Sequence, residues 1–134
     1  MDNTAKQQII EDYIAAYNAF DVDGMLGMLH TNIRFENYSE HEMTLSINGI
    51  DAFREVAQQA SRMFLSRNQT IENIAFEDDQ TVVFITYTAI CAVDLSEDVK
   101  KGDRLNLKGQ SVFKFKDNMI SFLADYSRAI ASRY

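Results

Sequence analysis

Leu105-Asn-Leu-Lys-Gly-Gln-Ser-Val-Phe-Lys-Phe-Lys116, then Asp117-Asn118, then Met119-Ile-Ser-Phe-Leu-Ala-Asp-Tyr-Ser-Arg128, is the stretch that decides the fold class. Ser111, Phe113 and Phe115 alternate with Gln110, Val112, Lys114 and Lys116. That is the period of two expected of a strand with one face in a core. Asp117-Asn118 is a polar break of the kind that reverses a chain tightly. Beyond it, Met119, Ser121, Leu123, Asp125 and Ser127 share one face, while Ile120, Phe122, Ala124 and Tyr126 share the other. The two runs read as an antiparallel hairpin.

Working upstream, Thr81 to Val93 is rich in β-branched and aromatic residues and reads as a third strand. Asp94 to Asp103, with Gly102, is a charged loop. Asp78-Asp79-Gln80 is a turn, and Gln69 to Phe76 is a strand with weaker alternation. The first half has a different period. Residues 4 to 19 predict a helix with Thr4 as N-cap, Gln7 completing a capping box, and Ile9, Ile10, Tyr13, Ile14 and Tyr17 on one face. Asp21 caps a shorter helix from Val22 to about Leu29. A short strand is centred on Ile33 to Glu36. Residues 37 to 48 read as polar and irregular. After Gly49, Ile50, Phe53, Val56, Ala57, Ala60, Met63 and Phe64 step by three and four, predicting a helix to about Leu65. Helices followed by a run of antiparallel strands make an α+β domain, with the helices covering one face of a strongly curved antiparallel sheet. A bent sheet closed by helices forms a cone, and cones hold pockets.

The chain has 134 residues, 46% hydrophobic and 25% charged, which fits one domain over residues 1–134. Thirteen Lys and Arg against 20 Asp and Glu give a net charge of −7. A nucleic-acid partner is not expected, because such binders present a basic surface. No apolar run approaches the roughly 18–20 residues of a membrane span. The N-terminus lacks the basic and apolar regions of a signal peptide. Cys91 is the single cysteine, so no intramolecular disulfide forms and a cytoplasmic location is expected. Cys91 reads as a small buried hydrophobe.

The ordered set of motifs resembles the nuclear transport factor 2-like superfamily, and within it the SnoaL-like and ketosteroid-isomerase-like groups. The resemblance is carried by Tyr13-Ile-Ala-Ala-Tyr17-Asn-Ala-Phe-Asp21-Val-Asp23-Gly24, by Leu29-His-Thr-Asn-Ile-Arg-Phe35-Glu36, by Gly49-Ile-Asp-Ala-Phe53, by Ser111 to Ile120 and by Asp125-Tyr126. It covers nearly the whole chain. It implies the cone fold with three N-terminal helices, and a homodimer formed through the outer face of the sheet. It does not imply one reaction, since the same fold carries several chemistries and non-enzymatic modules.

Ketosteroid isomerase chemistry needs a carboxylate base, a Tyr donor and a neutral carboxylic acid. Set on that pattern, the chain places Tyr13 at the donor, Asn37 at the base and Ser111 at the acid. An amide takes no proton at neutral pH, so steroid isomerisation is not expected. Asp125 is the better acid–base candidate. The resemblance implies that its face lines the cone, where Leu123, Phe113 and Phe115 would desolvate the carboxyl and raise its pKa. The competing reading is a structural Asp in an ion pair. Tyr13 and Tyr17, four apart, share one face of the first helix, and read either as core aromatics with satisfied hydroxyls or as a pair of which one hydroxyl reaches into the cone to meet a ligand oxygen. Phe35, Asn37, His41 and Ser111 complete the candidate ligand-binding set, with His41 read either as a solvated loop residue or as a residue of the mouth. His30 reads as a cation at a helix C-terminus. Arg62, Arg67, Lys100, Lys101 and Arg104 read as solvated surface. No metal-ligand spacing, phosphate loop or nucleophile elbow occurs, so neither metal nor cofactor is expected. Two functions fit: a pocket for a small, largely apolar organic molecule with acid–base chemistry by Asp125 and Tyr13, or a non-catalytic binding or assembly module on the same fold.

Overall fold

The computed structural model describes residues 1–130; the last four residues of the expected domain lie outside it. Helix α1 spans Asn3–Asn18 and buries Ile10, Tyr13 and Ile14. Its N-cap is Asp2, whose carboxylate accepts from the Ala5 N–H at 2.8 Å. The capping box expected at Thr4 and Gln7 is not used. Asp2 satisfies a first-turn N–H and adds a charge that suits the positive helix end. Helix α2, Val22–Leu26, is capped by Asp21 as expected but ends early. Leu29 belongs instead to β1, where it pairs with Ile120. Helix α3, Ile50–Ser61, starts after Gly49 at φ 93° and also stops short. Met63 is exposed, and Phe64 opens a strand. A step of three or four does not distinguish the last helical turn from the first residues of a strand.

The strands are β1 Leu29–Ser39, β2 Glu42–Asn48, β3 Phe64–Phe76, β4 Thr81–Cys91, β5 Arg104–Lys116 and β6 Met119–Ala129. They form one sheet in the order β2-β1-β6-β5-β4-β3. Every neighbouring pair is antiparallel except β1 and β6, which run parallel. The sheet is therefore mixed, not antiparallel throughout. The segment 37–48, expected to be irregular, is the end of β1 and the whole of β2. Glu40 and His41 between them have φ of 50° and 73°, as a two-residue hairpin turn with both central φ positive requires. β2 is an edge strand with no fully buried residue, which removes the apolar alternation that would have announced it. Asp117 and Asn118 make the corresponding turn between β5 and β6, with φ of 54° and 61°.

The helices cover one face of the sheet. Their buried residues join Ile33, Phe35, Val83, Ile85, Phe113, Ile120 and Leu123 in a single core. Ile120 is a second correction. Lys114 pairs with Phe122 but Phe115 pairs with Ile120, so Ser121 is an extra residue in β6. A bulge of this kind reverses which face the preceding residues present. Ile120 and Leu123 are both completely buried in the core, and the outer face keeps Phe122, Ala124 and Tyr126 without Ile120.

At the other margin, β3 is an edge strand. Asn18, the last residue of α1, docks on it: its Nδ2 donates to the Gln69 carbonyl at 3.1 Å and its Oδ1 accepts from the Gln69 N–H at 2.8 Å. Among the described residues, no helix is long and apolar enough to cross a membrane.

Candidate functional site

The register of four strands sets one row across the inner face: Val83 on β4, Ser111 on β5, Asp125 on β6 and Asn37 on β1. The next row is Thr81, Phe113, Leu123 and Phe35. Asp125 thus sits beside a wall of buried aromatic and aliphatic side chains. The Ser111 hydroxyl donates to its Oδ1 at 2.7 Å. Among the described residues no cation pairs with this carboxyl. Burial pushes its pKa up to about 6, against a smaller downward pull from the Ser111 hydrogen bond.

Tyr13 faces this group from α1. Its ring meets Phe113 edge-on, with centroids 6.1 Å apart. Burial holds the Tyr13 phenol well above its usual range, and the Asp125 charge adds to that. Tyr17, one turn on, is hydrogen-bonded to the Tyr87 hydroxyl at 3.0 Å. Its phenol is raised by burial and further by Asp125, while the Tyr87 contact and the nearby Arg67 oppose the rise. Asp125, Ser111, Tyr13, Tyr17, Phe113 and Leu123 are therefore brought together.

The remaining sequence-derived candidates are not all in that group. Asn37 lies next to Asp125 in register, but its Nδ2 donates to Thr44 Oγ1 at 2.9 Å across the β1–β2 pair. Phe35 packs edge-on against Phe53 of α3, 5.3 Å between centroids, as part of the core. Phe115 lies at the other end of the sheet, in a shallow groove with Lys6, Asp78 and Lys114. His41 is exposed in the β1–β2 turn and borders the outer face, away from Asp125. His30 is not at a helix end: it lies in β1 and contacts the Asp117 carboxylate at 3.2 Å.

Three residues of this region, Arg67, Phe20 and Tyr87, were not expected there from the sequence. Arg67 was expected in solvent, yet is 5% exposed. Its Nε–H donates to the Tyr17 carbonyl at 2.8 Å, and its guanidinium carbon lies 3.7 Å from the Tyr17 ring centroid. Phe20 covers it at 4.6 Å. Tyr87 is the third. The overrun of the third helix concealed Arg67; with β3 begun at Phe64, the alternation Arg67, Gln69, Ile71 would have turned it inward. Cys91 is buried as expected, and burial raises its thiol.

A further concavity lies elsewhere. An open groove of about 880 Å³ crosses the outer face of the sheet, with Tyr38, His41, Phe84, Lys108, Val112 and Tyr126 in its lining. It lies on the opposite side of β5 and β6 from Asp125. The groove is open to water, whereas the inner face holds a carboxyl whose pKa is raised chiefly by burial. Among the described residues no cluster of three metal-ligating side chains occurs.

Comparison with known proteins agrees with this architecture. No curated protein shows significant similarity to the chain. Among solved structures, TsrD from Streptomyces laurentii is 20% identical, with a TM-score of 0.78 over 95% of this chain and 90% of that one. An LEH-like epoxide hydrolase from M. tuberculosis is 17% identical, with a TM-score of 0.73 over 92% and 83%. TerC, co-crystallised with polyporic acid, is 14% identical, with a TM-score of 0.72 over 90% and 89%. At such identities the likeness is one of fold. The SnoaL-like domain model matches residues 10–122, ending short of Asp125. The chain thus belongs to the SnoaL-like domain family, within the nuclear transport factor 2-like superfamily.

Proposed function

We propose that this protein binds a small, largely apolar organic molecule in its interior and performs acid–base chemistry on it with Asp125. The observation that carries the reading is a carboxyl beside a wall of Phe113, Leu123 and Tyr13, held by Ser111 and by no cation among the described residues. A carboxyl with a pKa of about 6 is mostly ionised at neutral pH, yet it holds a proton more firmly than an ordinary aspartate. That is the balance a general base needs in order to take a proton and return it. Tyr13 is the companion donor. Its phenol stays protonated because burial and Asp125 both oppose its ionisation, so it can donate to an oxygen on which charge develops. TerC, which shares the fold, was co-crystallised with polyporic acid, and the epoxide hydrolase shares the fold as well.

The test is proton exchange on an enolisable apolar ketone. With β-tetralone in D₂O, deuterium should enter the α-position at least about 10²-fold faster than in buffer, the lower range for a positioned general base. Asp125→Asn should remove the acceleration. An unaccelerated wild type, or an unaffected Asp125→Asn variant, would sink the acid–base reading.

We also propose that the outer face pairs two copies of the chain in the cytoplasm. Phe122, Val112 and Tyr126 give that face an apolar strip of the kind that monomers tend to cover. Light scattering should then return about twice the chain mass of 15.3 kDa; a value near the single mass excludes it.

A further inference from the structure

Arg67 has a geometry that its structural role does not use up. The chain buries a guanidinium, a group that is costly to remove from water unless its charge and its donors are met. The charge is met only in part. Tyr17 and Phe20 lie on it at 3.7 and 4.6 Å, a cation–π arrangement that offsets some of the cost. The donors are met less well. Nε–H goes to the Tyr17 carbonyl in the last turn of α1. Nη2 is buried and has no partner among the described residues, and no carboxylate there pairs with the group.

A residue that only capped α1 would need one N–H and would leave the rest to water. Here the rings and the Nε contact fix the plane of the guanidinium, and what remains is the Nη edge. Phe20 holds its place at φ 58°, a conformation uncommon for a bulky side chain and found where surroundings enforce it. An oriented guanidinium whose buried Nη2 lacks an acceptor among the described residues matches an oxygen of a carboxylate or another delocalised oxyanion.

The position of this edge matters as much as its unmet donors. Arg67 stacks on Tyr17, Tyr13 lies one turn earlier on α1, and Tyr13 meets Phe113, whose row lies next to that of Ser111 and Asp125, so a continuous run of contacts leads from the cation toward the carboxyl. We propose that Arg67 is the anion-binding end of the interior site, and that the ligand is an organic acid or stabilised oxyanion docked on its Nη edge with an apolar body directed past Tyr17 toward Asp125. This rests on the interior being a ligand site, as in the function proposed above, but it adds the charge of the ligand.

The experiment compares two probes of one shape, 2-naphthoate and 2-naphthylmethanol, by NMR titration and calorimetry at neutral pH. Wild-type protein should bind the naphthoate at least about tenfold more tightly, the worth of one charge-assisted hydrogen bond. The Arg67 side-chain NH resonances should shift with the naphthoate and not with the alcohol. Arg67→Met should erase the preference and leave the alcohol within about twofold of its wild-type affinity. The wild-type ratio and the NH shifts keep the test decisive if Arg67→Met does not fold. Equal affinities for the two probes in wild type, with only the alcohol's apolar body bound, would overturn the anion assignment and leave the pocket intact. Failure of both probes to bind would overturn the pocket and the assignment together. A preference retained in Arg67→Met would place the anion elsewhere.

Discussion

Two faces of the same strands hold similar groups in different surroundings. On the inner face a carboxyl, Asp125, has one donor, the Ser111 hydroxyl at 2.7 Å. On the outer face a carboxylate, Glu36, has two, the Tyr38 hydroxyl at 2.8 Å and Arg34 Nε at 3.1 Å. The tyrosines divide likewise. Tyr13 is raised chiefly because burial opposes a phenolate. Tyr38 is raised to about 12 chiefly because its proton is engaged by Glu36. The outer arrangement neutralises a charge and needs no ligand. The inner one leaves a desolvated carboxyl whose pKa is raised to about 6 and whose described partner is a neutral hydroxyl. The comparison teaches that what separates the two groups, among the described residues, is the cation: Glu36 has one beside it and Asp125 does not.

The strongest way to break this contrast is to empty the inner wall. Phe113→Ala removes a 1% exposed ring and should cost about 3–5 kcal/mol in urea unfolding. Phe122→Ala, on the partly exposed outer side, should cost clearly less. Next comes the charge. For Asp125 the folded pKa of about 6 lies above the reference of 3.8. The native state therefore holds the proton more tightly than the unfolded chain. The contribution favours folding below about pH 4, declines as pH rises from about 4 to about 6, and is flat above. A proton held that much more tightly in the native state is worth at most about 3 kcal/mol. Asp125→Asn should accordingly be more stable than wild type at pH 7 by up to that amount and nearly equal at pH 4; a less stable variant at pH 7 would mean that the carboxylate is better paired than its contacts show. Third, Ser111→Ala should lift the midpoint of the Asp125 carboxyl in an NMR titration and cost about 1–2 kcal/mol at pH 7, where a charged acceptor loses its donor. Smallest is the outer pair. Glu36→Gln should bring the Tyr38 ionisation down from about 12 toward the ordinary phenol value in an absorbance titration, with no change in the Asp125 midpoint.

The sequence made the inner β5–β6 face legible because both strands alternate cleanly through Ser111, Phe113, Leu123 and Asp125. Their pairing brought Ser111 and Asp125 together without further assumptions. Legibility failed where the period was interrupted. Ser121 is one extra residue, and it moved Ile120 from the outer face into the core. β2 went unseen because an edge strand with polar side chains shows no apolar period. Arg67 was misplaced because three apolar residues at helical spacing carried the third helix beyond Ser61. The parallel pairing of β1 with β6 had no local signature, since it joins segments far apart in the chain. The anion-binding edge was hidden for the same reason: its parts come from α1, the turn after it and β3, and only the docking of α1 brings them together.

The contact of Asn18 with β3 has a consequence for the behaviour of the protein at high concentration. A bare sheet edge offers its N–H and C=O groups as a template for any passing strand, and self-association by edge pairing begins there. The Asn18 carboxamide takes both outward groups of Gln69, as a neighbouring strand would, but it belongs to a helix and cannot extend the ladder. A foreign strand laid along β3 would meet an occupied position in its middle. One side chain at the end of α1 thus acts as a stopper against filament growth, and Asn18→Ala should leave the fold in place while opening this edge to aggregation.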